Sequence, residues 1–209
     1  MASRIAGGTV AMLAAVLVLA GCGVARTTGV SDQTAQNQGY HGALLDRQYV
    51  VPDQSLTDTG GKRFSMRHDA GHPLSVVFFG YTHCPDACRI VMGTIASAYA
   101  RLQPSSRRHV QVLFVSTDPA RDTLPVLRAY LRHFNRAFVG LRAPLSEVIK
   151  LARPLAIFVA KGRKLPGGGY DVDHSIAVLA VRDGRVPLVW PADTTPADMA
   201  DDLNRLLKG

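Results

Sequence analysis

Two short runs, LSVVFFGY from Leu74 to Tyr81 and VQVLFVST from Val110 to Thr117, constrain the fold more than any other feature. Both are apolar and β-rich without alternation, the pattern of strands covered on both faces. Helical spacing follows each run. After the first, Val91, Ile95, Tyr99 and Leu102 recur at the interval of one buried helical stripe. After the second, a helix is expected from about Thr123 to Phe134, with Asp122 as its cap. Covered strands alternating with helices predict an α/β protein with parallel strand pairs.

Shorter pieces flank this centre. Strands are expected around Tyr49 to Val51 and Arg63 to Ser65, with the turn-rich DTGGK between them. A short strand is expected at Ala137 to Leu141 and a helix at Leu145 to Arg153. AIFVA, SIAVLAVRDG and VPLVWP read as late strands, with Asp183-Gly184 turning a hairpin between the last two. A polar helix from Pro196 to Leu207 closes the chain, and no internal repeat or second domain is evident. This order, with a cysteine motif at the first major strand-to-helix junction, resembles a thioredoxin-like fold. The expectation is a central mixed β-sheet flanked by helices, with N-terminal strand additions.

The first residues bear on location. MASRIAGGTVAMLAAVLVLAGC has one early cation, Arg4, an apolar stretch from Val10 to Ala20, then small residues. Residues 1–21 have the layout of a secretory signal, and the apolar run falls short of the ~20 residues that span a bilayer. Its end, Leu19-Ala20-Gly21-Cys22, resembles a bacterial lipobox, in which cleavage leaves the cysteine as a lipid-bearing first residue. An ordinary signal with an incidental cysteine is the plainer alternative. Lipid on Cys22 would hold the protein at the extracytoplasmic face of the cell membrane without a span. Residues 22–45 are rich in Gly, Thr, Gln and Ser and read as a flexible tether reaching roughly 25–30 Å. The globular domain is expected over 46–209. The formal charge of +8 comes mostly from dispersed arginines with few aromatics between them. That distribution reads as solvated faces attracted to an anionic membrane surface, and not as a nucleic-acid groove.

With Cys22 assigned to lipid, the three cysteines leave Cys84 and Cys88 as a pair, in GYTHCPDACR. Outside the cytoplasm thiols drift toward disulfides unless they are reduced or held by a metal. A disulfide across so short a loop constrains the unfolded chain little, so the pair is expected to serve chemistry. With Pro85 in the first turn of a helix starting near Cys84, both side chains share one face, Cβ atoms ~5–6 Å apart. That spacing permits a disulfide after local adjustment, or two thiolates on one metal ion. C-x-x-x-C departs from the C-x-x-C of thioredoxin-type reductases. A closed zinc site asks for two close pairs of ligands, and one is present here. Copper(I) is soft and is content with two thiolates and an imidazole. Of seven histidines, His41 lies in the tether, and His109 and His133 sit near polar element ends. His83 adjoins Cys84 and is expected to point away. His174 precedes a late buried strand, where a thioredoxin fold brings a loop beside the first helix. Position alone leaves it open between a ligand and a satisfied or solvent-facing histidine.

Three segments taken together carry a resemblance. FGYTHCPDAC, VLFVSTDPARDTLPVLRAYLRHF and VDHS are similar, in order and separation, to the hallmarks of the Sco/SenC family. The similarity covers about Gln54 to Leu207. It implies a membrane-anchored protein holding one copper ion per chain, Cu(I) or Cu(II) or both, through Cys84, Cys88 and His174. It also implies a role in assembling the dinuclear CuA centre of cytochrome c oxidase. The partner would be oxidase subunit II or another copper-accepting protein. Asp118 matches an aspartate of the family motif and is expected either to orient the site from behind the ligands or to cap the following turn. Arg89 and Leu124 stand where the family usually has proline, which bears on copper affinity and partner choice.

Two mechanisms then compete. In a metallochaperone, reduced Cys84 and Cys88 hold copper with His174 and pass it on by stepwise ligand exchange. In a thiol-disulfide reductase, Cys84 and Cys88 are a redox pair: one attacks an acceptor disulfide, the other resolves it, and His174 is dispensable. Peroxide reduction, which other thioredoxin-like proteins perform, is a third reading with no direct mark in the sequence.

Overall fold

In a computed structural model, which describes residues 37–69, 71–164 and 170–208, the chain opens with strands β1 (Ala43–Val50), β2 (Ser55–Asp58), β3 (Arg63–Ser65) and β4 (Leu74–Gly80). Helix α1 (Ala87–Arg101) and a one-turn helix α2 (Pro104–Arg107) lead to β5 (Val110–Ser116). Next come α3 (Leu124–Arg132), β6 (Val139–Arg142) and α4 (Leu145–Ala152). The chain ends with β7 (Val159–Lys164), β8 (Tyr170–His174), β9 (Val178–Arg182), β10 (Arg185–Trp190) and α5 (Pro196–Lys208). The signal, Cys22 and the tether as far as residue 36 lie outside the described residues.

The two apolar runs form the centre of an eight-stranded sheet ordered β1-β10-β9-β4-β5-β6-β2-β3. β4 and β5 pair in parallel, as do β5 and β6, while β9 joins β4 antiparallel. The early strands add to both edges, β1 beside β10 and β2–β3 beyond β6. This is the thioredoxin-like mixed sheet with N-terminal additions.

Every residue of β4 and β5 is buried because helices cover both faces. Leu74, Val76 and Phe78 pack with Val91, Met92 and Ile95 of α1, Leu127 of α3 and Leu203 of α5. Val77 and Phe79 point the other way, toward Val148 and Leu151 of α4. The alternation that the sequence hides is present in space, with period two.

The β9–β10 hairpin turns at Asp183 (φ 51°) and Gly184 (φ 69°). Positive φ at both central positions is what a two-residue turn matched to strand twist requires.

The domain begins earlier than Asp46. β1 starts at Ala43, and the segment before it is fixed by Asp202 of α5, a fully buried carboxylate. Asp202 accepts hydrogen bonds from the backbone N–H of His41 (2.9 Å) and Gly42 (2.9 Å) and from Trp190 Nε1 (2.8 Å). A Cβ on Gly42 would come within 2.8 Å of the Trp190 ring, so only glycine lets the chain pass there. The polar, Gly-containing composition of residues 37–42 serves this close approach. Asp202→Ala strips three donors of their acceptor, two of them buried, and should cost about 2–4 kcal/mol. Denaturant unfolding followed by Trp190, the chain's one tryptophan, measures this. A loss under about 0.5 kcal/mol, the scale of an ordinary surface change, would refute the role.

Candidate metal centre

The end of β4 delivers Cys84 and Cys88 to one place. Helix α1 starts at Ala87, so Cys84 lies in the loop before it and not in its first turn. The expected arrangement of both cysteines on one helix face is therefore replaced by another. Asp86, at the cap position, makes no side-chain cap bond. The Cys84 sulfur fills that role instead, accepting from the Cys88 backbone N–H at 3.3 Å. Cys84 is 7% exposed and Cys88 wholly buried, and both are free thiols. Burial, and then the Cys84 interaction, push the Cys88 thiol pKa well above its ordinary value. Gly80 makes room for this: a Cβ there would sit 3.2 Å from Cys88 Sγ and 2.9 Å from the Phe78 ring.

His174 arrives from the other side, at the end of β8. β7 and β8 form an antiparallel ribbon separate from the main sheet. The histidine thus ends a strand, where a loop was expected. Its Nδ1 lies 2.8 Å from the Ser175 carbonyl, which can only accept, so Nδ1 carries the proton. Nε2 is left with a free lone pair facing Cys88 Sγ at 3.5 Å. Burial lowers the histidine pKa, keeping the imidazole neutral. Rings box it in: Tyr81 stands edge-on at 5.7 Å between centroids and Phe78 at 6.1 Å. One ligand atom each from Cys84, Cys88 and His174 lie within 4.8 Å of one another. That is a set able to hold a metal ion.

Three supports have partners that the sequence did not reveal. Asp122 does not cap α3; Thr123 does, its hydroxyl accepting from Val126 N. Asp122 is instead fully buried behind the cysteine loop. It accepts from Thr82 Oγ1 (2.6 Å), Thr82 N (3.2 Å) and Ser116 Oγ (2.7 Å). Burial raises its pKa, and the Thr82 and Ser116 bonds pull it partly back. Adjacent Asp and Thr are both good caps, so local pattern could not separate them.

The other two supports hold the ribbon. Tyr81 donates to Asp171 at 2.5 Å, and Tyr170 donates to Asp118 at 2.5 Å. Arg121 pairs with Asp118 and stacks 4.0 Å above the Tyr170 ring. Asp118 therefore touches none of the three ligands. Its carboxylate anchors the strand that carries His174, while its carbonyl accepts from the N–H groups of Arg121 and Asp122 in the turn. His83 is exposed and bonded to Thr82, outside the ligand cluster. Arg89 faces a neighbouring cleft with His83, Tyr130 and His133, and is not at the mouth over Cys84.

Residues 43–208 match the family model described as SCO1/SenC. The chain belongs to the SCO1/SenC family. Mitochondrial Sco2 of Saccharomyces cerevisiae is 35% identical over 123 residues, covering 58% of this chain. The match spans 40% of the yeast protein's length. Among solved structures, apo Sco1 of Thermus thermophilus is 31% identical with a TM-score of 0.70, covering 80% of this chain and 96% of that one. Bradyrhizobium japonicum ScoI, solved with copper bound, is 30% identical with a TM-score of 0.67, covering 75% and 99%. In this Sco/SenC chain the two tyrosine–aspartate bonds hold β8 against the sheet. Losing one bond worth about 1 kcal/mol makes local opening roughly fivefold easier. Tyr81→Phe and Tyr170→Phe should each speed amide hydrogen exchange at Val172 to His174 by about that factor, leaving β4 and β5 protected. Unchanged exchange in the double variant would show that the ribbon is held by other contacts.

Proposed function

We propose that this Sco/SenC protein binds one copper ion through Cys84, Cys88 and His174 and passes it to the CuA-bearing subunit of cytochrome c oxidase during its assembly. The convergence of the three ligand atoms within 4.8 Å carries the reading. Two sulfurs and one imidazole nitrogen form a soft set suited to copper(I), and imidazole serves copper(II) as well. The free lone pair of His174 Nε2 means that no proton need leave that ring. Copper is present in the Bradyrhizobium ScoI structure, and the Sco family is one of cytochrome c oxidase assembly proteins. A cavity of 390 Å³ opens over Cys84 and His174, so an incoming thiolate can displace one ligand at a time.

The loss of an outer partner costs a metal site roughly 10–100-fold in affinity, and the loss of a ligand should cost at least as much. Anaerobic copper titration of the reduced protein should give one ion per chain, and His174→Ala should bind at least about tenfold more weakly. Equal affinity in the variant, or no binding against a modest chelator, would overturn the assignment.

A thiol-disulfide role is favoured by one observation, the unequal exposure of the pair. Cys84, at the mouth, would attack an acceptor disulfide, and buried Cys88 would then displace the acceptor from the mixed disulfide. The acceptor leaves as a dithiol and Cys84–Cys88 becomes the disulfide. His174→Ala separates the roles, since it removes a copper ligand and spares this exchange.

The lipid anchor at Cys22 belongs to the same reading, placing donor and acceptor on one membrane. No helix among the described residues is long and apolar enough to cross a bilayer. Metabolic labelling with a radioactive fatty acid should mark the wild-type protein and leave Cys22→Ser unlabelled. An unlabelled wild type, or equal labelling of the variant, would count against the anchor.

A further inference from the structure

We propose that the mouth of the metal site is a docking surface for a protein segment that is apolar and flanked by lysine or arginine. This rests on the copper-transfer reading and specifies the acceptor's complementary face. Phe158 is 61% exposed and Ile176 41% exposed, both lining the cavity over Cys84 and His174. They are held together at the base of the ribbon. Ser175 N donates to the Phe158 carbonyl at 3.0 Å, and Phe158 N donates to Ser175 Oγ at 3.0 Å. Pro85 and Ala87 continue the apolar rim on the cysteine side. An exposed aromatic beside a reactive centre is the kind of anchor on which protein interfaces concentrate their energy.

Charge selects the occupant. The whole chain is +8, yet Asp86, Asp171 and Asp173 line this mouth, and no lysine or arginine among the described residues does. Arg163 interacts with Asp171 and Arg121 lies over the Tyr81 ring, so Asp86 and Asp173 carry most of the open negative charge. The Tyr81 hydroxyl further stabilises the Asp171 carboxylate. An anionic lipid surface would be repelled here, whereas a cationic polypeptide is drawn to this spot and held off by the rest of the body. Local attraction on a repelling background orients the partner as well as capturing it.

The test uses the full-length, reduced, copper-free protein in neutral detergent and two synthetic peptides. Each has a leucine-rich core with serines in place of cysteines, one flanked by lysines and the other by glutamates. Amide NMR shifts at Phe158, Ile176 and Ala87 report docking, and titration reports affinity. The lysine peptide should bind about tenfold more tightly than the glutamate peptide at low salt, a preference erased near 0.5 M salt. Asp86→Asn with Asp173→Asn should abolish the preference, and Phe158→Ser should weaken both peptides. Fluorescence of buried Trp190 confirms that each variant is folded. Equal or glutamate-favouring binding, shifts confined elsewhere, or the same shifts at Phe158, Ile176 and Ala87 when anionic phospholipid is added to the micelles without peptide would overturn the proposal. A failure of the copper reading would appear separately, as wild type unable to bind the metal, because docking is read without copper.

Discussion

Parallel pairing of β4 with β5 is the constraint on which the site depends. The register runs from Leu74 opposite Val110 to Gly80 opposite Ser116, so both strands end at one level. Their outgoing loops therefore emerge side by side, one carrying Cys84 and the other Asp118 and Asp122. The carboxyl ends of parallel strands are where open α/β sheets place ligands, because backbone amides and loop side chains converge there. Strand burial fixes the two loop origins, and loop composition is then free to serve chemistry. Covering β4 and β5 with α1 and α3 on one face and α4 on the other makes that platform rigid.

Asp122 turns this adjacency into a fixed geometry. A buried carboxylate is costly, and the rise in its pKa reports that cost. What offsets it is a set of donors from two segments: Thr82 in the cysteine loop and Ser116 at the end of β5. The loop between Gly80 and α1 is thereby tied to its neighbour strand two residues before Cys84. Cys84 is then tied forward as well, since its sulfur accepts from the Cys88 amide. The two sulfurs inherit their positions from the sheet through a short chain of bonds. Their spacing owes little to the helix periodicity that the i, i+4 pattern implies.

What was legible in the sequence divides along the same physical line. β4, β5 and the body of α1 were readable because burial on both faces leaves an unbroken apolar run, and a covered helix leaves a stripe, whereas the one-turn α2 buries nothing and left none. The cysteine pair and His174 were readable as residue types, and family resemblance joined them. β2, with the sequence SLTD, and β8, with YDVDH, carry no such pattern. The first is a four-residue strand between β6 and β3 in which only Leu56 is buried, and the second is a ribbon strand that sends only Val172 into the core. The start of α1 was misplaced because proline fits the first turn of a helix equally well as the turn preceding it. The partnerships of Tyr81 with Asp171 and Tyr170 with Asp118 join residues far apart in sequence. No local signal marks them, since tyrosine and aspartate are as common on solvated surfaces.

The three proposed ligands stand on two kinds of support, which bears on how an ion would be held and released. Both cysteines stand on the sheet platform, where displacement would disturb buried strands and Asp122. His174 stands on β8, which pairs with β7 alone among the described residues and reaches the body through buried Val172, two tyrosine–aspartate bonds and the Arg121 stack. Those two bonds are half-buried and worth about 1 kcal/mol each, and one valine is little apolar surface, whereas moving the cysteines would disturb many fully buried side chains of β4 and α1. Opening the ribbon is therefore the cheaper motion. It removes the imidazole while leaving two sulfurs in place, so a partner seated on Phe158 and Ile176 would act directly on the movable ligand. In the proposed copper site, retention would then depend on the contacts that hold the ribbon closed as well as on the sulfurs.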